Sequence, residues 1–193
     1  LEDQPEPPKY FAMMKKLNKV DRPLLTSVPT LKKLSNQEML GAMSKGVKLI
    51  DTRLKTEYAN GYIPGSLNIQ GNNSFATWCG WFLNYDEQFI LLADEKQLDD
   101  LTRKLMRIGL DNIMGYVSST EAYVKEGGKL ETVPVINIDE FKSVMKEPNV
   151  QIVDLRNATE YKSGHVENAE HVFIGTLPKN LDKISKDKKV VIY

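Results

Sequence analysis

The chain has 193 residues, enough for one large or two small domains. Its 26 Lys+Arg balance 26 Asp+Glu, leaving no net field to draw in nucleic acid or an anionic membrane. No apolar run approaches the roughly 20 residues that span a bilayer. A single cysteine, Cys79, excludes an internal disulfide and suits a reducing cytoplasm.

The start, Leu1–Pro8, is acidic and Pro-rich, and it has neither the basic nor the apolar segment of a secretory signal. Tyr10 to Asn18 follows with apolar positions at helical spacing. It carries too little apolar surface to fold alone and is expected to dock or fray. A short strand is expected at Val28 to Leu31. Ser35-Asn-Gln-Glu38 then reads as a capping box, opening a helix that turns Met39, Leu40 and Met43 inward and ends at Gly46. A buried strand at Val47 to Asp51, a short helix around Thr56 to Asn60 and a turn at Ile63-Pro64-Gly65 come next, leading into Ser66 to Ile69.

Phe75, Trp78 and Phe82 share one helical face, which either fills its own domain's core or docks another domain. An apolar strand, Phe89 to Ala93, leads to Asp94-Glu-Lys-Gln-Leu98, which opens a further helix.

The pattern then repeats. Val47 to Ile69 aligns without a gap on Val150 to Val172, with seven identities in twenty-three positions, most of them polar residues and Gly. A shared apolar period would not hold Asp, Arg, Thr, Glu and Gly in register, so the module is duplicated. The second copy runs Val135-Ile136 as strand, Asn137 to Glu140 as cap, Phe141 to Lys146 as helix and Val150 to Asp154 as strand, with the boundary between Gly127 and Pro134. Strands and helices that alternate, with continuous apolar strands, predict an α/β fold with parallel sheets.

Copy one reads Asp51-Thr-Arg53, Glu57-Tyr58 and Gly61-Tyr62-Ile63-Pro64-Gly65-Ser66; copy two reads Asp154-Leu-Arg156, Glu160-Tyr161 and Gly164-His165-Val166. These resemble the rhodanese family of sulfurtransferases, in which the strand after the motif leads to a cysteine in a Gly-containing loop that ends in Arg. The resemblance implies rhodanese-like domains, the first complete and the second truncated. Sulfane-sulfur transfer needs a cysteine that is a thiolate at neutral pH and a cradle of N–H groups for the extra charge.

Copy one has Asp94 at the degenerate active-site position, no Gly through Asp99, and Asp99 where the Arg would stand, so no catalytic residue is expected there. In copy two the resemblance places the cysteine immediately after Tyr193, outside this sequence. Cys79, in an aromatic helical face without basic neighbours, is expected to be a buried, inert thiol. Asp51, Arg53 and Glu57, like Asp154, Arg156 and Glu160, are expected to be structural. Each Arg would pair with the Glu one helical turn on, while the Asp caps the following turn. His165 has a tyrosine at the matching position of copy one, Tyr62, and is expected to be a turn residue rather than a base.

Residues 1–23 resemble the segment that joins the metallo-β-lactamase-fold domain of persulfide dioxygenases to rhodanese domains, leaving 24–133 as the first domain and 134–193 as the second. That likeness implies a bacterial parent in sulfide detoxification, acting on low-molecular-weight thiol persulfides. Its iron would sit in the metallo-β-lactamase-fold domain, and this chain would hold no cofactor of its own. It also implies a partner domain in the same parent chain, a possible homo-oligomer, a cytoplasmic location, and neither nucleic acid nor membrane as a partner. The alternative is a non-catalytic scaffold that positions the partner domain or drives oligomerisation.

Overall fold

A computed structural model describes residues 7–21 and 27–193. The acidic start at residues 1–6 and the expected boundary between 23 and 24 lie outside the described residues. Two compact units emerge, Lys9–Pro134 and Val135–Tyr193.

In the first unit, α1 (Lys9–Leu17), α2 (Asn36–Met43), β1 (Lys48–Asp51), α3 (Lys55–Asn60), β2 (Leu67–Asn68), α4 (Phe75–Phe82), β3 (Phe89–Leu92), α5 (Leu98–Arg107), β4 (Ile113–Val117) and α6 (Glu121–Lys125) follow in order. The sheet is parallel in the order β2-β1-β3-β4. Alternate residues of its two central strands go to opposite faces. Ile50, Phe89 and Leu91 pack with Phe75, Leu101 and Leu105, and Leu49, Ile90 and Leu92 pack with Leu34, Met39 and Ala42. Cover on both faces is why these strands read as unbroken apolar runs.

The capping box at Ser35 and Glu38 forms as expected. Its helix turns Met39 and Ala42 inward, with Met43 partly covered, but leaves Leu40 39% exposed, contrary to expectation. Leu40 lies about 100° round from Met39, off the buried stripe. Gly46 sits at φ 89° just past the helix, in the left-handed region where glycine costs least. No strand forms at Val28 to Leu31. Among the described residues this segment pairs with β4 only at Lys33, where Tyr116 N–H donates to Lys32 O (2.9 Å) and Leu34 N–H to Tyr116 O (2.8 Å). Pro29 has no N–H for a ladder, and the close approach falls where Gly115 leaves room.

Helix α1 docks. Tyr10 lies against Gly80 of α4, and Tyr10 and Met14 pack on the core cluster that contains Phe75 and Cys79. Phe75 and Cys79 are buried, with Trp78 and Phe82 packed partly against the same cluster, so this face fills its own unit's core.

The second unit carries α7 (Ile138–Val144), β5 (Val150–Asp154), α8 (Ala158–Ser163), β6 (Glu170–His171) and β7 (Lys189–Ile192). Its parallel sheet runs β6-β5-β7. Asn137 with Glu140 and Asn157 with Glu160 form capping boxes at its two helices. The strand expected at Val135-Ile136 is absent. Val135 is 80% exposed, and among the described residues the segment pairs with no strand.

Candidate functional site

Parallel strands gather their loops at one end of a sheet, and the resemblance places the nucleophile in the turn after β3. Asp94 stands there, exposed, its carboxylate accepting the Lys96 N–H at 2.9 Å and capping a 3₁₀ turn, Glu95–Gln97, that runs straight into α5. Glu95 is held by Lys33 (2.6 Å) and accepts from the Tyr116 hydroxyl (3.3 Å), and its carboxyl lies below the usual range chiefly through the Lys33 hydrogen bond. Asp99 pairs with Arg103 and Asp100 with Lys104, each at 2.7 Å.

The positive end of α5 is therefore occupied by the chain's own carboxylates. The turn offers no thiol, and its acidic rim opposes the extra negative charge of a persulfide. Cys79 is no substitute: it is fully buried, and burial pushes its thiol pKa up, away from thiolate.

The Asp-x-Arg motif closes each unit's β–α turn, but with different partners from those expected. Arg53 pairs with Asp51, two residues back, through Nη2 to Oδ2 (2.5 Å) and Nε to Oδ1 (3.0 Å), and Nη2 also donates to Gly61 O (2.9 Å). Arg156 repeats this on Asp154 at 2.6 and 3.0 Å, reaching Gly164 O at 2.8 Å. Both aspartates are 0% exposed, so each carboxylate takes its cation where it stands. Each also accepts the arginine's own backbone N–H, which is the expected turn cap.

Glu57 and Glu160 take no part in these pairs. They accept the N–H groups of Leu54 (3.1 Å) and Asn157 (3.2 Å), orphan donors at the starts of α3 and α8. The Arg156 hydrogen bonds hold the Asp154 carboxyl down at about 2.

His165 donates from Nδ1 to Tyr161 O (2.9 Å) and stacks on the Tyr161 ring at 3.7 Å, as Tyr62 stacks on Tyr58 at 4.5 Å. It sits in the turn. Sequence reasoning missed Asn68, whose amide donates to Asp51 O and Arg53 O (both 2.9 Å), and its counterpart His171, which donates from Nε2 to Arg156 O (2.9 Å). Both occupy the second residue of the short strand after the turn, a matching position that could have drawn notice.

Tyr193 was missed as well. Its hydroxyl accepts the Val166 N–H at 2.9 Å, and its ring lies 5.2 Å from the Arg156 guanidinium carbon. Strand register also aligns this residue with the first unit. Leu155 N–H donates to Tyr193 O as Thr52 N–H does to Leu92 O, each at 3.0 Å, so Tyr193 matches Leu92 rather than Ala93.

Comparison with known proteins follows this geometry. The family model for the rhodanese-like domain matches residues 35–128 and 137–193. No curated protein sequence matches the chain. Among solved structures, a metallo-β-lactamase from Staphylococcus aureus is 34% identical over 61% of this chain and 32% of its own, with a TM-score of 0.51. The rhodanese-like domain of an Anabaena protein is 14% identical over 55% of this chain and 89% of its own (TM-score 0.45). A thiosulfate sulfurtransferase from Pseudomonas aeruginosa is 16% identical over 96% of this chain and 40% of its own (TM-score 0.44). The chain thus spans about a third of the staphylococcal protein's length. With an α/β parallel sheet in each unit and the family's domain matched in both, this chain belongs to the rhodanese-like domain family.

Proposed function

We propose that this chain is the rhodanese-like region of a persulfide-metabolising protein that also carries a metallo-β-lactamase-fold domain, and that its first unit is structural rather than sulfur-carrying. The observation that carries the second part is Asp94, a capping carboxylate at the turn where sulfur transfer needs a thiolate. The 34% identity to the staphylococcal metallo-β-lactamase supports the first part. Thiol persulfides of low molecular weight are the substrates in this reading. Iron belongs to the metallo-β-lactamase-fold domain; among the described residues no group of three His, Cys, Asp or Glu side chains could hold it. A cytoplasmic location follows from the same reading, and no helix among the described residues is long and apolar enough to cross a membrane.

Intact-mass spectrometry after treatment with glutathione persulfide tests the structural role. No adduct of one sulfur atom is expected on these 193 residues. A sulfur-loaded Cys79 would overturn that reading. For the wider protein, oxygen uptake driven by glutathione persulfide is expected, and its absence would refute persulfide metabolism.

A further inference from the structure

Thr102 stands in the middle of α5, 1% exposed, and its Oγ1 meets no hydrogen-bond partner among the described residues. A helical threonine can return its hydroxyl to the carbonyl four residues back, here that of Leu98. This one does not. A buried hydroxyl left without a partner is destabilising, so the group calls for a partner that the chain does not supply.

Thr102 lines a cavity of about 310 Å³ between α5 and segment 28–31, a volume at the lower end of small-molecule sites. Leu31, Leu98 and the Tyr116 side chain give it apolar walls, and Leu31 and Leu98 continue into the core beneath. Glu95 and Asp99 supply its only charges, for no Lys or Arg belongs to the lining. Glu95, Asp99 and Thr102 follow at intervals of four and three residues, which puts them along one side of the 3₁₀ turn and α5. Lys33 and the Tyr116 hydroxyl both reach Glu95 through Oε1, leaving Oε2 without a hydrogen bond among the described residues. Arg103 holds Asp99, but both side chains are more than half exposed, and such a pair holds its charges weakly.

We propose that this cavity binds a short primary alkylammonium ion, its N–H groups donating to Thr102 Oγ1 and to the Glu95 and Asp99 carboxylates and its alkyl chain lying against Leu31, Leu98 and Tyr116. An ammonium has three donors and no acceptor, which suits a lining whose polar side chains offer oxygen acceptors. An anion would meet two like charges there. Asp94 does not line the cavity, so the site is separate from the turn that lacks a nucleophile.

The test is an amide NMR titration of the full chain with n-butylammonium chloride at constant ionic strength, with n-butanol as the uncharged control of similar shape. Saturable shifts at the amides of Leu98 to Thr102 are expected with the amine, and n-butanol is expected to bind about tenfold more weakly or worse. Thr102→Val keeps the β-branched shape and removes the hydroxyl. It is expected to weaken the amine about tenfold and to melt no lower than the parent chain, since no hydrogen bond is lost. Glu95→Gln, at an exposed position, is expected to weaken the amine as well. A Thr102→Val chain that melts lower would show that the hydroxyl already has a partner, and would overturn the inference. So would n-butanol binding as tightly as the amine, variants that keep the parent's affinity, or the absence of any saturable shift.

Discussion

The two units share a lock and differ in cover. Asp51–Arg53–Gly61 and Asp154–Arg156–Gly164 match bond for bond, yet the first sits below a turn that carries Asp94 in place of a nucleophile. A motif kept intact where no sulfur chemistry is available serves the backbone. It ties the end of the first strand to the start of the Gly turn and neutralises a carboxylate that is out of reach of water. Cover differs: unit one sheathes β3 with β4, α2 and α5 and buries all four of its residues, while Lys189 and Ile192 of β7 are exposed.

The largest effect should come from breaking the lock in the well-covered unit. Arg53→Ala leaves Asp51 buried without its cation and is expected to cost roughly 3 kcal/mol, the low end for a broken buried pair, because the guanidinium itself is 23% exposed. Arg156→Ala should cost less, since Arg156 is more exposed. Urea melts of the two variants measure both costs, and equal losses would show that burial of the pair does not set the difference.

Gly115→Ala comes next. The added methyl would press on Lys32 O, a backbone atom that cannot swing aside, and about 1–3 kcal/mol of destabilisation is expected. Gly46→Ala is a useful contrast, because nothing lies within 4 Å of that Cβ and only its positive φ opposes the change. A Gly115→Ala melt no lower than that of Gly46→Ala would remove close approach as the reason for glycine at 115.

Much of this plan was legible in the sequence because polar identities recur in register: an Asp, an Arg and a Gly at fixed spacing have few structural solutions. The capping boxes at Ser35 and Asn137 were legible for the same reason, each needing only four consecutive residues. What escaped was partner choice. Asp51 and Glu57 are both carboxylates within reach of Arg53, and only the burial of the first and the orphan Leu54 amide beside the second separate them. The register of Tyr193 escaped because the segments between β2 and β3 and between β6 and β7 differ in length, so the gap-free match that ends at Val172 does not carry over to the later strand. Val28 to Leu31 and Val135-Ile136 looked like strands by composition, but pairing depends on a neighbour that composition cannot supply.

Acid acts on the second unit's lock more gently than these substitutions. The Asp154 carboxyl is held at about 2, below its unfolded value near 3.8, by the Arg156 hydrogen bonds. A depressed carboxyl stabilises the fold above the unfolded value and loses that contribution as pH falls through the folded one, so the second unit should weaken between about pH 4 and 2. Amide exchange at Val153 follows this directly. In Asp154→Asn the contribution of this group to that pH dependence should vanish, and a slope unchanged by the substitution would assign the loss to other carboxyls.

The smallest effect is a helix cap, and it bears on the same contrast. Ser35 and Asn137 each accept an amide at the start of the helix that precedes the first strand of their unit. Replacement of either by Ala should cost about 1 kcal/mol locally. In unit one α2 is pinned by Met39 and Ala42 in the core, so Ser35→Ala should lower the melt of the whole unit while leaving α2 formed. In unit two Val144 is the one buried residue of α7, so Asn137→Ala should fray that helix first, seen as faster exchange at its amides before the strands open. If α2 and α7 fray alike, tertiary cover does not explain the difference in order between the two copies.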